Sequence, residues 1–99
     1  MLDITKNKDG SRLEIALEGR LDTITAPELD QKLKNSLRGI TELILDCENL
    51  EYLSSAGLRV LLAAHKQMTR QGSMVVRNVS EIVQEVLEVT GFTDILTIE

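Results

Sequence analysis

Alternating apolar and polar positions open the chain and predict an antiparallel pair of strands. Residues 2–8 and 11–19 alternate with period two, and Asp9-Gly10 between them is typical of a tight hairpin turn. A loop over residues 19–22 is expected to follow and to end in the carboxylate of Asp22. The inward positions of the two strands are Leu2, Ile4, Leu13, Ile15 and Leu17.

The first helical pattern begins behind a capping sequence. Residues 25–28 read Thr-Ala-Pro-Glu, which predicts a capping box and a helix that begins at Ala26. Gly39 is expected to end this helix. Its narrow apolar stripe consists of Leu29, Leu33 and Leu37.

Two short apolar runs enclose the longest helical pattern of the chain. Residues 43–45, closed by Asp46, and residues 74–76 are continuous apolar runs. Such runs are typical of parallel, central strands that are covered on both faces. The helix between them extends to about Gln71, ends at Gly72 and supplies a right-handed crossover.

The last helical pattern begins at a serine, Ser80, which we expect to cap it. Gly91 is the predicted residue just beyond its end, with Phe92 packed behind it, and residues 94–98 are expected to add a short strand. Residues 1–99 thus form a single α/β domain with a mixed sheet of four or five strands, an N-terminal antiparallel hairpin, central parallel strands and three main helices. The inward positions of the last helix are Ile82, Val83, Val86 and Leu87.

Composition and charge exclude several classes of function. The net charge is −5, and the chain has one Tyr, one Phe and no Trp, which argues against nucleic acid as a partner. One His and one Cys cannot form a conventional zinc site, so neither metal nor cofactor is expected. With no basic leader and no apolar run of membrane-spanning length, we expect a soluble, cytoplasmic protein without membrane insertion. Its acidic surface and lack of an exposed aromatic patch favour a monomer.

Neither Cys47 nor His65 is interpreted as a reactive group. Cys47 follows a strand and is expected to be a small apolar filler, whereas His65 lies at the edge of the helical core face. His65 is roughly 15 Å from Ser55 along the helix, beyond hydrogen-bond reach. The sequence also lacks a Gly-x-Ser-x-Gly nucleophile motif and a glycine-rich phosphate loop, so we expect a protein that is not an enzyme.

The candidate site is the start of the long helix, where Ser54 and Ser55 stand between a strand and a helix. Either serine can act as N-cap, and the free amides and dipole of a helix start favour an anion. Ser55 and Arg59 are i,i+4 neighbours, which would bring a guanidinium near a charged group on Ser55. Ala56 and Ala63 are expected to be exposed and to give a flat surface on which a partner can dock.

Three turns are predicted to share the carboxyl end of the sheet: the turn at residues 54–57, the Asp22 loop and the Asn78 turn. The alternative is that the serines, Asp22 and Asn78 only cap helices and form turns. The predicted partner-binding residues are Asp22, Ser54, Ser55, Ala56, Gly57, Arg59, Ala63 and Asn78.

Four stretches together resemble a STAS domain over the whole length of the chain. They are LEGRLD at residues 17–22, TAPEL at 25–29, LDCENL at 45–50 and YLSSAGLRVLL at 52–62. Within that family the resemblance is to the freestanding bacterial anti-sigma factor antagonists.

The resemblance implies partner switching. An unphosphorylated antagonist of this family binds an anti-sigma factor that is also a serine kinase of the histidine-kinase-like ATPase fold, and it is released when the kinase phosphorylates a serine at the start of the long helix. A metal-dependent serine phosphatase restores it. The family motif is Asp-Ser-Ser-Gly with the acceptor directly before Gly; here Ala56 holds that position, so the implied acceptor is Ser55, with Ser54 as the second candidate.

Two other functions stay open. One is a constitutive STAS subunit or scaffold of a larger complex that is not regulated by phosphorylation. The other is a binder of a small ligand or nucleotide, for which no loop of the sequence argues.

Overall fold

The sheet is mixed and has the order β1-β2-β3-β4, with β1 antiparallel to β2 and the other neighbours parallel. The computed structural model describes residues 1–99. None of its helices combines the length and the apolar character that crossing a bilayer requires. The elements are β1 (Leu2–Asp9), β2 (Arg12–Leu21), α1 (Ala26–Ser36), β3 (Glu42–Leu53), α2 (Ser55–Gln71), β4 (Ser73–Arg77), α3 (Glu81–Val89) and a 3-10 turn (Phe92–Asp94).

The N-terminal hairpin is confirmed, but its loop lies one residue later than predicted. Asp9 pairs with Arg12, so the two-residue loop is Gly10-Ser11. Gly10 has a φ of +62°, as the first position of a type II′ hairpin turn requires. The predicted loop at residues 19–22 is wrong in its first three positions, because β2 continues to Leu21.

One face of the sheet and the three helices enclose a single aliphatic core. Leu13 and Ile15 of β2 lie in register with Leu43 and Leu45 of β3, and all four side chains are at most 2% exposed. The buried side chains of the helices belong to the same cluster: Ala26, Leu29, Leu33, Leu58, Val60, Leu61, Ala64, Met68, Val83 and Leu87.

The prediction that the parallel strands are covered on both faces is wrong. On the face away from the core, Ala16 is exposed and its neighbour in register, Asp46, is half-buried. Ile44 is buried on that face between half-buried Glu14 and Val75, which explains why the run at residues 43–45 is apolar throughout. β4 lies at the edge of the sheet rather than at its centre.

β3 is far longer than the apolar run that predicts it. It continues past Asp46, the expected end, to Leu53, and its register against β2 shifts twice, between Ala16 and Glu18 and between Gly19 and Arg20. Each shift inserts one extra residue, as a β-bulge does. The buried positions of this half are therefore three residues apart, which hides the period-two signal: Cys47, Leu50 and Leu53.

The interpretation of Cys47 as a filler is confirmed by its surroundings. Its side chain is 1% exposed within the core cluster. Burial raises the pKa of the Cys47 thiol to about 12, and the neighbouring Asp46 carboxylate adds to this effect. The reactive thiolate is therefore not populated at neutral pH.

The C-terminal segment forms a 3-10 turn and one bridge in place of the predicted fifth strand. Val76 N–H donates to the Thr97 carbonyl at 2.8 Å, and Glu99 N–H donates to the Val76 carbonyl at 2.9 Å. Gly91, with a φ of +81°, follows α3 as predicted, and half-buried Phe92 packs against the core. Of the four inward positions predicted for α3, Val83 and Leu87 are buried and Val86 is half-buried, but Ile82 is exposed.

Candidate docking and modification site

Ser54 is the N-cap of α2 and has a structural role. Its backbone is extended, with a φ of −97° and a ψ of 173°, and its hydroxyl oxygen accepts from the Gly57 N–H at 3.4 Å. The Ser54 N–H donates to the Leu21 carbonyl at 2.9 Å, which ties the helix start to the end of β2. This half-buried serine therefore performs the structural role that its residue type predicts.

Ser55 is the first residue of α2 and has a different environment. Its side chain is exposed, and its hydroxyl makes no hydrogen bond to the protein. The amides of Ser55 and Ala56 donate to no protein acceptor, as is usual in the first turn of a helix. A free hydroxyl therefore lies beside two unpaired donors at the positive end of the helix dipole.

The outer face of α2 near its start carries one base, Arg59, and the small side chain of Ala63. Arg59 is exposed and belongs to none of the ion pairs, and Ala63 is exposed as predicted. Ala56, predicted to be exposed, is half-buried and packs against the core. The first turn of α2 contains no acidic residue, and none of the surface cavities includes either serine.

Gly57 positions this surface from beneath. It is buried, and a Cβ atom there would lie 2.7 Å from Leu21 Cγ and 2.8 Å from Leu53 Cδ1. The absence of a side chain lets the first turn of α2 lie directly on the ends of β2 and β3. Gly57, one of the predicted partner-binding residues, is therefore buried against the strands beneath the first turn of α2.

Asp22 lies at the same edge of the sheet as Ser54, because Leu21 and Leu53 are partners in register. Its Oδ1 accepts from the Ile24 and Thr25 amides, both at 3.0 Å, and lies 3.1 Å from Thr25 Oγ1. The hydrogen bond from the Thr25 amide is the main reason that the pKa of Asp22 is lower than its ordinary value of 3.8. The carboxylate therefore holds the loop that leads into α1.

The predicted capping box at residues 25–28 is not formed, although α1 begins at Ala26 as expected. The Thr25 hydroxyl points back into the loop, 2.7 Å from the Arg20 carbonyl, and accepts from the Asp22 N–H at 2.9 Å. The Asp22 carboxylate instead accepts from amides of the turn that precedes α1, and no side chain caps the amides of α1 itself.

Replacing Asp22 by Asn is expected to lower the melting temperature at neutral pH, because an amide oxygen is a weaker acceptor than a carboxylate. The pKa of Asp22 is depressed in the folded chain, so its stabilising effect is complete above the ordinary value of 3.8 and is lost as the pH falls through the folded pKa. Thermal melts of both proteins from about pH 7 to about pH 2 measure the gap. It should be constant down to about pH 4 and then close, whereas a gap that closes near neutral pH or never closes would contradict this assignment.

Asn78 does not join the site. It has a φ of +60° and follows β4, and its Nδ2 donates to Asp46 Oδ1 at 3.3 Å. The same oxygen accepts from the Glu48 N–H at 3.0 Å. Asp46 precedes Leu53 by seven residues of β3, roughly 20 Å at about 3.3 Å per residue. The expectation that Asn78 shares an edge with Asp22 and Ser54 is wrong, because the long second half of β3 separates them.

Three exposed side chains at this edge were not predicted. Ile24 is 86% exposed and Tyr52 is 38% exposed. The Arg20 guanidinium lies 4.2 Å from the centroid of the Tyr52 ring, and Arg20 Nε is 3.8 Å from Asp22 Oδ2. An isoleucine within a polar loop was the signal for Ile24, whereas the outward position of Tyr52 follows from the second bulge. We define the α2 docking surface as Asp22, Ile24, Tyr52, Ser55, Arg59 and Ala63.

Comparison with known proteins gives one consistent family. The sequence model of the STAS domain family matches residues 3–99. The BtrV protein of Bordetella bronchiseptica is 33% identical over 99 residues, which span 98% of this chain and 85% of BtrV. The anti-sigma-B factor antagonist of Bacillus subtilis is 30% identical over 98 residues, which span 98% of this chain and 88% of that protein.

Solved structures agree with this result at the level of the fold. The anti-sigma factor antagonist SpoIIAA in its unphosphorylated form superposes with a TM-score of 0.84 at 19% identity, over 98% of this chain and 88% of SpoIIAA. The phosphorylated form of Bacillus SpoIIAA gives a TM-score of 0.76 at 18% identity, over 98% of this chain and 91% of that chain. Both superpositions include nearly every element described above.

Proposed function

The chain belongs to the STAS domain family, and on this basis we propose that it is an anti-sigma factor antagonist that acts by partner switching. Without phosphate it binds, through the α2 docking surface, an anti-sigma factor that is also a serine kinase of the histidine-kinase-like ATPase fold. The kinase phosphorylates Ser55 and the complex separates. A metal-dependent serine phosphatase then restores the antagonist, which is the substrate of both reactions and catalyses neither.

The different environments of the two serines are the observation that favours Ser55 as the phosphate acceptor. Phosphoryl transfer requires a hydroxyl that can align with the γ-phosphate, and the Ser55 hydroxyl is exposed and unbonded. Transfer to Ser54 would require a half-buried capping oxygen to leave the Gly57 amide. Ser55 therefore presents the lower barrier, and Ser54 is the second candidate.

The proposed release needs no change of fold. A phosphate adds a charge of about −1.5 to −2 at a position that the bound partner covers. The unpaired amides of the helix start and the guanidinium of Arg59 can stabilise it in the free antagonist. In the complex, the same group would have to be desolvated against the partner, so the phosphorylated state favours separation.

The hydrophobic anchors of the complex are proposed to be Ile24 and Tyr52. Exposed aliphatic and aromatic side chains of this kind supply most of the binding energy of an interface when a partner covers them. Asp22, Arg59 and Ala63 would form its polar and flat parts. Because the kinase uses ATP, the same proposal places the switch in the cytoplasm. We also propose that the free antagonist is a monomer.

Alanine variants of the two serines separate capping from modification. We expect Ser54→Ala to lower the free energy of unfolding by about 1 kcal/mol, because the N-cap is lost, and to remain a substrate. We expect Ser55→Ala to change stability by less than about 0.5 kcal/mol and to accept no phosphate. Urea unfolding measures the stability of each variant. Intact mass with peptide fragmentation, after incubation with the kinase and ATP, measures whether each variant is phosphorylated and where.

The outcomes of this experiment are distinct. Phosphate on Ser54 in the wild type would reject Ser55 as acceptor while keeping the switch. A wild type that stays unmodified, with kinase that phosphorylates a second substrate in the same reaction, would reject the switch and favour the constitutive subunit.

A further inference from the structure

The outer face of α3 carries an exposed apolar stripe that nothing in the fold covers. Ile82 is 61% exposed and Val89 is 81% exposed, and half-buried Val86 lies between them. Positions i, i+4 and i+7 share one side of a helix, so the three side chains form a continuous row. Together with Glu85 and Thr90 they line a shallow depression.

Six glutamates surround this stripe. Two shallow depressions, one along α3 and one at its start, are lined by acids, and no lysine or arginine lines either of them. None of the six takes part in an ion pair. The remaining ten acids of the chain nearly cancel its eleven bases, so the negative charge of the molecule is concentrated here. The six are Glu18, Glu48, Glu51, Glu81, Glu85 and Glu88.

The arrangement is unfavourable for the isolated chain. Glu81 and Glu85 are like charges at i,i+4, and Glu85 and Glu88 are like charges at i,i+3, so both pairs repel each other. Glu88 also lies in the last turn of α3, where the helix dipole disfavours an acid. Its only side-chain partner is Gln84, whose Nε2 donates to Glu88 Oε1 at 3.1 Å.

A positively charged occupant would remove this repulsion. The glutamates are spread along the helix and are not grouped in a way that would hold a metal ion. An occupant must therefore carry several cations at helical spacing together with an apolar row that covers Ile82, Val86 and Val89. A second copy of this chain would bring its own six glutamates to the contact and is disfavoured by repulsion.

We propose that the α3 face, defined as Ile82, Val86, Val89 and the six glutamates, docks a basic amphipathic helix of a partner protein. Apolar residues of that helix cover the stripe, and its lysines or arginines pair with the flanking acids. The α3 face shares no residue with the α2 docking surface. The inference therefore stands independently of the proposed phosphorylation switch.

The probe for this proposal is a synthetic peptide of about 15 residues, with leucines at i, i+4 and i+7 and lysines on both flanks. It is titrated into the full-length, ¹⁵N-labelled chain and followed by amide chemical shifts. Shifts are expected at residues 48–51 and 80–90, and binding should weaken as salt is added. A scrambled peptide and a peptide with glutamate in place of lysine are expected to cause no shifts.

Variants of exposed side chains identify the surface. The double variant Ile82→Ser, Val89→Ser is expected to weaken binding of the peptide about tenfold or more. Ile24→Ser, which removes an even more exposed isoleucine (86%, against 61% for Ile82) from the other surface, should leave binding of the peptide unchanged. Glu81→Gln, Glu85→Gln and Glu88→Gln together should reduce the salt dependence.

Three results would overturn the proposal. The first is a lack of peptide-dependent shifts, or shifts centred elsewhere. The second is equal binding of the scrambled or acidic peptide, or of the Ile82→Ser, Val89→Ser variant. The third is concentration-dependent dimerisation of the wild type that this variant abolishes, since the stripe would then be covered by a second copy.

Discussion

Replacing Ser55 by Asp is expected to weaken binding of the anti-sigma kinase about hundredfold or more, equivalent to about 2.7 kcal/mol, while the melting temperature changes by less than about 2 °C. The carboxylate places a permanent negative charge on an exposed position that the complex would cover. Ser55 makes no side-chain hydrogen bond that the substitution would break. An acid in the first turn of α2 also interacts favourably with the helix dipole, so the free chain keeps its stability.

Calorimetric titration of the kinase with wild type and variant measures this effect. Ser55→Asn is the matched control, because it has nearly the size of aspartate without the charge, and it should weaken binding far less. If Ser55→Asp and Ser55→Asn bind equally, bulk and not charge controls release. If Ser55→Asp melts several degrees lower, Ser55 contributes to the stability of the fold and is not free for modification.

Replacing Gly72 by Ala is expected to lower the free energy of unfolding by about 3 kcal/mol and the melting temperature by roughly 15 °C. A Cβ atom at this position would lie 1.8 Å from the Thr41 carbonyl oxygen. That oxygen accepts from the Ser73 N–H at 2.9 Å, and the Thr41 N–H donates to the Ser11 carbonyl at 2.8 Å. The backbone of Thr41 is therefore fixed between the β1–β2 loop and the start of β4 and cannot move away without breaking a hydrogen bond.

Gly39→Ala is the matched control for this steric effect. Gly39 has a φ of +80°, and a Cβ atom there would meet nothing within 4 Å. The control therefore measures the cost of an unfavourable backbone conformation alone, about 1 kcal/mol. Urea unfolding of both variants gives the two values, and a Gly72→Ala cost no larger than that of Gly39→Ala would contradict the packing argument.

The sequence predicted those parts of the fold that local signals determine. The period-two pattern identified β1 and β2, and the serine pair identified the start of α2, where Ser54 caps the helix. The outward positions of Arg59 and Ala63 followed from helical spacing alone. Local rules were sufficient there because each side chain acts within its own element.

Predictions failed where distant strands decide the outcome. The two bulges in β3 are specified by its pairing with β2, and they carry the strand past Asp46 and separate Asn78 from Ser54. The failure at Thr25 is local instead: its hydroxyl bonds to Arg20 and Asp22, just before it in the chain, and not to the helix it was expected to cap. The exposure of Ile82 also depended on an absent covering element, which the apolar pattern of α3 cannot reveal.

The choice between Ser54 and Ser55 as phosphate acceptor also required the structure in addition to the local sequence. Serine is a favoured N-cap residue, so the sequence alone leaves both positions as candidates. The structure assigns the capping hydrogen bond to Ser54 and leaves the Ser55 hydroxyl exposed. We therefore propose that a phosphate on this exposed hydroxyl separates the antagonist from its kinase.

The most direct test is to measure the affinity of the kinase for wild-type antagonist before and after phosphorylation, with the phosphate mapped to Ser55. We expect tight binding of the unmodified chain, loss of affinity by about hundredfold or more after phosphorylation, and recovery when a serine phosphatase removes the phosphate. Equal affinity of both forms would contradict this proposal and would indicate a constitutive subunit instead of a switch.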